Sequence, residues 1–256
     1  MKTGIAFWKK EWMDLVRSGK AVLLLLIASL FGIMNPAIAK LTPWLMETMS
    51  ESLQETGLHM TEVTVDAMTS WVQFYKNMPM ELIIIVLLLG GIFTQEYQKG
   101  TLVMVLTKGL KRRSVYLAKT FMCALAWSVC FWLSFFITWL YNDYFWNNGI
   151  AKHLITTAAL FWLFGLWIFF LLVFFSAIAK ETTGVLAGTG IILLISYIAG
   201  MFPKIQEYLP TKLLEAQTLL TESAVPGDFY KAIAVVLLLN IAAVLTGMIL
   251  FDKKNI

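Results

Sequence analysis

Few side chains in this sequence could carry acid–base or metal chemistry. Glu81 begins the apolar run ELIIIVLLLGGIF, where a carboxyl group could relay a proton or face a substrate path. A position in the headgroup region is equally open, if the apolar segment starts at Met80. The two histidines, His59 and His153, have no metal-ligand pattern around them, so we expect no bound metal.

The motifs of several enzyme classes are absent. The sequence has no GxxxxGK[ST] phosphate-binding loop, no HExxH zinc motif and no Gly-x-Ser-x-Gly nucleophile turn. We therefore expect no catalytic residue and no cofactor held by this chain. We read the net charge of +4 as a consequence of membrane orientation rather than of nucleic-acid binding.

One further stretch stands out by its mixture of residue types. Residues 95–114 read QEYQKGTLVMVLTKGLKRRS, with an apolar centre between cations. Gly100 and Thr101 predict the start of a new helix, with Thr101 as N-cap, and Gly109 predicts its end. Such a helix has about two turns, and an apolar patch facing water usually marks a protein interface.

The composition places these residues in a membrane protein. The chain has 256 residues, 59% of them hydrophobic and 14% charged, with a mean hydropathy of +0.75. Its apolar runs approach the roughly 20 residues that cross a bilayer and do not alternate. We predict an all-α polytopic protein, one domain over 1–256, with six spans at 21–39, 75–93, 116–140, 154–178, 185–202 and 231–251.

The cations predict the orientation of the spans. With both termini in the cytoplasm, fourteen of the 20 cations lie inside, and those outside are Lys40, Lys76, Lys152, Lys204, Lys212 and Lys231. Such an excess of Lys and Arg on the cytoplasmic side is the usual arrangement. The sequence therefore predicts that both termini are cytoplasmic.

Three segments outside the spans have their own patterns. Residues 5–17 place Ile5, Trp8, Trp12, Leu15 and Val16 at helical spacing, which predicts an amphipathic helix in the cytoplasmic interface. A cleavable signal peptide over the first 39 residues is the alternative. The external segment 40–74 is expected to hold a short surface helix, and the segment 203–230 before the last span is expected to be partly inserted beside other helices.

Residues 95–114 resemble the loop of the permease subunits of ABC-2 type transporters. In that family an acidic residue ends span two, a Gly-Thr-Leu and a short apolar helix follow, and a basic turn leads to a lysine in span three. Many members have a proline before the basic turn, where this chain has Lys108-Gly109-Leu110. The matching positions are Glu96, Gly100, Thr101, Leu102, Val103, Val105, Leu106, Arg112, Arg113 and Lys119.

The resemblance implies partners and a mechanism. Two permeases, identical or paralogous, would form the path through a bacterial plasma membrane, and two separate ATPase subunits would bind ATP and Mg²⁺. Residues 101–110 would be the main coupling helix, and Lys180 and Glu181 would make a minor ATPase contact. As a small single-domain permease, this chain resembles the bacterial permeases that export amphipathic peptides, including phenol-soluble modulins.

The substrate is expected to be apolar or amphipathic, either a peptide or a lipid-like molecule. The spans are rich in aromatic residues and nearly free of charge, and the candidate path consists of Glu81, Phe135, Phe136 and Trp139. Packing or lipid-facing positions are the alternative for each aromatic residue. The alternative function is a non-transporting membrane scaffold that binds a cytoplasmic partner through its basic loop.

Overall fold

A computed structural model describes residues 2–54, 65–107 and 109–254. The described residues form helices joined by short turns and contain no strand. Three 3₁₀ segments lie at Asn148–Ile150, Pro210–Thr221 and Pro226–Phe229. The α-helices are α1 (Lys2–Arg17), α2 (Lys20–Gln54), α3 (Ala67–Leu89), α4 (Thr94–Gln98), α5 (Thr101–Thr107), α6 (Arg112–Phe145), α7 (Leu154–Ile178), α8 (Thr182–Ala199), α9 (Pro203–Gln206) and α10 (Tyr230–Lys253).

The prediction of an all-α polytopic membrane protein is confirmed. Six helical segments are long and apolar enough to cross a bilayer, and each overlaps one predicted span. The fourth has the predicted bounds. The six segments are Lys20–Leu45, Ala67–Gln98, Arg112–Phe145, Leu154–Ile178, Thr182–Ala199 and Pro226–Lys253.

Several predicted boundaries differ from those of the structure. Helix α2 runs on to Gln54 instead of ending near residue 39, so part of the predicted external segment continues the first span. Helix α3 begins at Ala67 because the Asp66 side chain accepts a hydrogen bond from the Thr69 amide at 2.9 Å and caps it. The separate surface helix predicted for 40–74 does not occur in the described part of that segment, whose residues 55–64 lie outside the described residues.

The bundle is organised around α6 and α7. Helix α6 packs against α2, α3, α7 and α10, and α7 also packs against α8 and α10. The 3₁₀ segment Pro210–Thr221 fits against α7 and α10, with Leu213, Ala216, Leu219 and Leu220 buried. This packing is the arrangement predicted for a segment that lies beside spanning helices.

Glycines allow neighbouring helices of the bundle to approach each other closely. A Cβ on Gly165 would lie 2.2 Å from the Trp127 ring, and that indole is itself fixed because it donates a hydrogen bond to the Trp162 carbonyl at 3.0 Å. Similarly, a Cβ on Gly188 would lie 2.5 Å from the Phe175 ring. Small residues at such positions let neighbouring helices pack closely.

The Gly165 contact gives a test of the packing between α6 and α7. We expect Gly165→Ala to lower the free energy of unfolding by about 1–3 kcal/mol, because Trp127 is buried and hydrogen-bonded and has no room to move. Gly190→Ala is the matched control, since nothing lies within 4 Å of its added methyl group. Thermal unfolding in detergent measures both, and equal melting temperatures for the two variants would contradict the packing argument.

Candidate functional site

Several chain segments meet at one end of the bundle, which we call the basic end. It comprises α1, α4, α5, the turn 179–181 between α7 and α8, and the C-terminal end of α10. Lys254 Nζ donates to the Ala179 carbonyl at 2.8 Å, and the hydroxyls of Thr94 and Thr182 lie 2.6 Å apart. These bonds tie α10, α4 and the turn together.

The short helix predicted from residues 100–109 is present as α5. Gly100 has φ +66° and Gly109 has φ +85°, a left-handed conformation that glycine adopts without steric cost. Gly100 therefore separates α4 from α5, and the helix starts at Thr101 and ends at Thr107. The predicted start and the role of both glycines are confirmed, while Thr101 is the first helical residue rather than its cap.

Helix α5 has an inner and an outer face. Leu102 is fully buried and Leu106, one turn later, packs partly against the core. Val103 and Met104 are 42% and 58% exposed. The sequence grouped these residues in one docking patch, but a helix of about two turns must bury one side to stay in place. Leu102 is therefore part of the chain's own core, and the side chain of Val105 lies outside the described residues.

A network of charges joins α5's neighbour α4 to two other helices. Lys119 on α6 is only 1% exposed. Its ammonium group lies 2.9 Å from Glu11 Oε2 on α1 and 3.1 Å from Glu96 Oε2 on α4, and it donates to the Ile92 carbonyl at 3.0 Å. Two carboxylates from two helices and one backbone carbonyl therefore surround a single buried cation.

Lys10 extends this network towards the surface. Its ammonium group lies 2.6 Å from Glu96 Oε1, 3.0 Å from Glu11 Oε1 and 2.9 Å from Asp14 Oδ2. Burial disfavours the charge of Lys10, but its bonds to Asp14 and Glu96 and the charge of Glu11 outweigh this and raise its pKa. Glu96 thus contacts two lysines of its own chain, although the resemblance placed it in an ATPase contact.

The three carboxylates could in principle hold a metal ion. Oxygen atoms of Glu11, Asp14 and Glu96 lie within 4.8 Å of one another, and oxygen ligands suit Mg²⁺ or Ca²⁺. However, Lys10 and Lys119 contribute two ammonium groups to the same cluster. These two ammonium groups balance two of the three carboxylate charges, so the chain itself supplies most of the positive charge that a metal ion would bring.

The predicted basic turn binds the C-terminal end of α10. Arg112 Nη1 donates to the carbonyls of Asp252, at 3.1 Å, and Lys254, and Arg113 Nε lies 3.1 Å from Asp252 Oδ2. Cations are favourable at a helix C-terminus, where carbonyl groups lack partners. The Arg113 side chain is 62% exposed, so it can also contact a partner. Arg112 instead donates its hydrogen bonds to carbonyl groups of this chain.

Lys254 completes the connection between α10 and the turn 179–181. Besides its bond to Ala179, its ammonium group lies 4.1 Å from the centre of the Tyr97 ring. Partial burial and the nearby charge of Lys180 lower the pKa of Lys254 to about 8. Lys180 and Glu181 themselves are exposed, as a contact surface requires.

The residues of the predicted substrate path differ in their burial. Glu81 is fully buried about four turns into α3, where it accepts a hydrogen bond from Ser134 Oγ at 2.8 Å. This position lies inside the apolar helical segment Ala67–Gln98. Phe135 is buried against the rings of Trp71 and Phe74.

The other two aromatic residues of that path lie elsewhere. Phe136 is 58% exposed on the outer surface of the bundle, and its only described ring partner is Trp139, at 5.9 Å. For both Phe135 and Phe136 the packing and lipid-facing alternatives therefore describe the side chains as the structure has them.

The role of Glu11 and Lys10 was missed in the sequence. Helix α1 has the predicted exposed apolar residues Trp8, Trp12 and Val16, which suit a lipid interface. Its inner face consists of Phe7, Glu11 and Leu15, spaced four residues apart. That spacing was visible, but nothing in a single sequence relates Glu11 to Lys119, which is 108 residues away.

The chain was compared with known proteins. A family model described as "ABC-2 family transporter protein" matches residues 5–255. The match therefore extends from the start of α1 to beyond the end of α10, and includes the charge network and α5. No curated protein matches the chain.

The charge network gives a second test. We expect Glu11→Gln to lower the free energy of unfolding by about 3 kcal/mol, because it leaves the buried Lys119 with half of its counter-charge. The double variant Glu11→Leu, Lys119→Met should recover most of this loss, since it removes the cation too. Denaturation in detergent, followed by tryptophan fluorescence, measures both.

The matched control is Glu207→Gln at the opposite end of the bundle. Glu207 also pairs with a lysine, Lys231, at 2.6 Å, but both side chains are more than half exposed. Exposed ion pairs contribute little to stability. If Glu11→Gln and Glu207→Gln shift the unfolding transition equally, the buried network does not hold α1 in place.

Proposed function

Since this chain belongs to the ABC-2 family of transporter proteins, and is therefore a membrane permease component of an ABC transporter, we propose that it exports an apolar or amphipathic substrate. ATP and Mg²⁺ are bound by a separate ATPase subunit that docks on α5. The chain lies in the plasma membrane of a bacterium, with the basic end in the cytoplasm. The excess of Lys and Arg at that end supports this orientation.

The observation that carries the proposal is the outer face of α5. Val103 and Met104 are exposed on a short helix that Leu102 anchors in the core. Exposed apolar side chains on a fixed helix suit a protein groove, because their burial supplies affinity at little cost in ordering. Lys99 and Lys111 are exposed on either side of the helix and can orient the partner.

The connections of α5 explain how a docked ATPase could move the spans. A ligand-driven change reaches another site only through contacts that differ between two states. Only two residues, Lys99 and Gly100, separate α4 from α5. Glu96 on α4 forms ion pairs with Lys10 and Lys119. A displacement of α5 is therefore passed to α1 and α6 together.

The turn 179–181 is the proposed minor contact. Lys180 and Glu181 are exposed there, and the hydrogen bond between Thr94 and Thr182 joins the turn to α4. The two proposed contact points for the ATPase are thus mechanically connected. This connection supports their movement as one unit.

A second permease copy, identical or paralogous, completes the proposed membrane path. Within the single chain, the span formed by α8 is only 17% buried. Ile191, Leu194, Ile195 and Ile198 are each more than half exposed on it. A span with so little internal packing suits a helix that contacts a further subunit.

The substrate class is supported by a groove between α7 and α10. It has a volume of about 400 Å³ and is lined almost entirely by apolar side chains, among them Trp162, Phe170 and Ile241. The buried Asn240 also lines it, and its Oδ1 has no hydrogen-bond partner. An apolar peptide or lipid-like molecule with one donor group matches this lining. The path predicted from Glu81, Phe135, Phe136 and Trp139 stays a separate prediction.

The docking surface can be tested with a charge on α5. We expect Met104→Asp to weaken assembly with the ATPase about a hundredfold or more, because docking would bury an unpaired carboxylate. Membrane insertion and the melting temperature of the chain should not change, since Met104 is 58% exposed. Co-purification of an ABC ATPase subunit with the tagged chain, and the rate of its ATP hydrolysis, are the measurements.

Two further variants serve as controls. Met201→Asp introduces the same change at a residue that is 79% exposed beyond α8, away from α5, and should leave assembly unchanged. Leu102→Asp, in contrast, should lower the stability of the chain itself. An unaltered complex with Met104→Asp contradicts docking on α5, and the lack of any ATPase partner for the wild-type chain would favour the scaffold function.

A further inference from the structure

A cavity lies at the basic end where α1, α4 and α6 approach each other. Its volume is about 470 Å³, which is within the range of ligand cavities, roughly 300–1,000 Å³. It opens beside Gly19, whose φ of +74° forms the bend between α1 and α2. The cavity is therefore located at the point where the chain changes from an amphipathic helix to a membrane span.

The walls of the cavity carry more positive than negative charge. The acids are Glu11, Asp14 and Glu96, and the ammonium groups of Lys10 and Lys119 pair with them and balance two of the three negative charges. The remaining cations in the wall form no ion pair within the part of the chain that the structure describes. They are Arg17, Lys20 and Lys99.

Arg17, Lys20 and Lys99 line the same cavity, and the only described hydrogen bond of Lys20 is a long one, 3.5 Å, to Gln95 Oε1. Like charges that line one cavity repel each other, and more so where burial lowers the local dielectric constant. A negatively charged occupant would relieve that repulsion.

The remaining wall is apolar. Leu15, Leu89, Ile92 and Met122 line the cavity together with the cations. Trp8 and Trp12 are exposed on the outer face of α1, and tryptophan side chains prefer the level of the lipid headgroups. The cavity therefore offers cations at headgroup level and an apolar surface next to them.

We propose that this cavity binds the phosphate headgroup of an anionic phospholipid. The phosphate lies among Arg17, Lys20 and Lys99, and the glycerol and upper acyl chain contact the apolar wall. Free inorganic phosphate shares the charge but not the apolar part. Thr101, the first residue of α5, also lines the cavity, so the bound lipid touches α5.

The test measures lipid retention by the full-length chain in detergent. After delipidation, the chain is titrated with phosphatidylglycerol or phosphatidylcholine, and native mass spectrometry reports the bound lipid. We expect the wild type to hold one phosphatidylglycerol at concentrations where phosphatidylcholine does not bind. Each basic residue near a membrane surface contributes about fivefold to the attraction of an anionic lipid, so Lys20→Gln with Lys99→Gln should weaken binding about 25-fold.

Controls separate this site from general attraction to the membrane. Lys9→Gln removes an exposed cation of α1 that does not line the cavity, and it should leave binding unchanged. If the double variant does not fold, Lys99→Gln alone removes an exposed side chain and should weaken binding about fivefold.

Three results would overturn the proposal. One is equal retention of the two lipids, and another is an equal loss in Lys9→Gln and in the cavity variants. The third is protection by millimolar inorganic phosphate that equals protection by phosphatidylglycerol in thermal unfolding, since the occupant would then be a free anion. None of these measurements needs the ATPase, so their outcome is independent of the proposed function.

Discussion

The structure at the basic end depends on the burial of one ammonium group. Lys119 lies on α6 about two turns from its start and is 1% exposed. A charge in such a place is stable only when opposite charges and hydrogen bonds surround it. Glu11 supplies one carboxylate from α1, and Glu96 supplies another from α4. These ion pairs hold α1 and α4 against α6.

A second set of contacts links the remaining helices at the same end. Arg112 and Arg113 bind the end of α10, and Lys254 connects that end to Ala179 between α7 and α8. As a result, the segment before α5 and the segment after it are both bonded to other parts of the bundle. The first is α4, through Glu96, and the second is the start of α6, through Arg112 and Arg113. In contrast, the outer face of α5 has no described partner within the chain. It is therefore a surface that is free to bind and at the same time firmly connected to the spans.

The sequence was sufficient for features that depend on local chemistry. Six apolar runs predicted six spans, and Gly100 and Gly109 predicted the limits of α5. It was insufficient for features that depend on tertiary packing. Hydropathy indicates where an apolar span ends, but a helix can continue beyond the membrane because its backbone hydrogen bonds do not require lipid. For this reason α2 extends to Gln54, past the predicted end of the span. Similarly, every residue of the segment LVMVL is apolar, so the sequence could not show which side of α5 is buried in the bundle.

Helical spacing says more about which side chains share a surface than composition does. Phe135 and Phe136 are adjacent, and consecutive residues of an α-helix point about 100° apart. In the single chain Phe135 is buried and Phe136 is exposed. The residues that line the groove between α7 and α10 lie four positions apart on each helix, so they share one helix face. They are Trp162, Leu166 and Phe170 on α7 and Leu237, Ile241 and Leu245 on α10. Because Asn240 Oδ1 is the buried acceptor without a partner there, a donor group on an apolar occupant would be held at that level of the membrane.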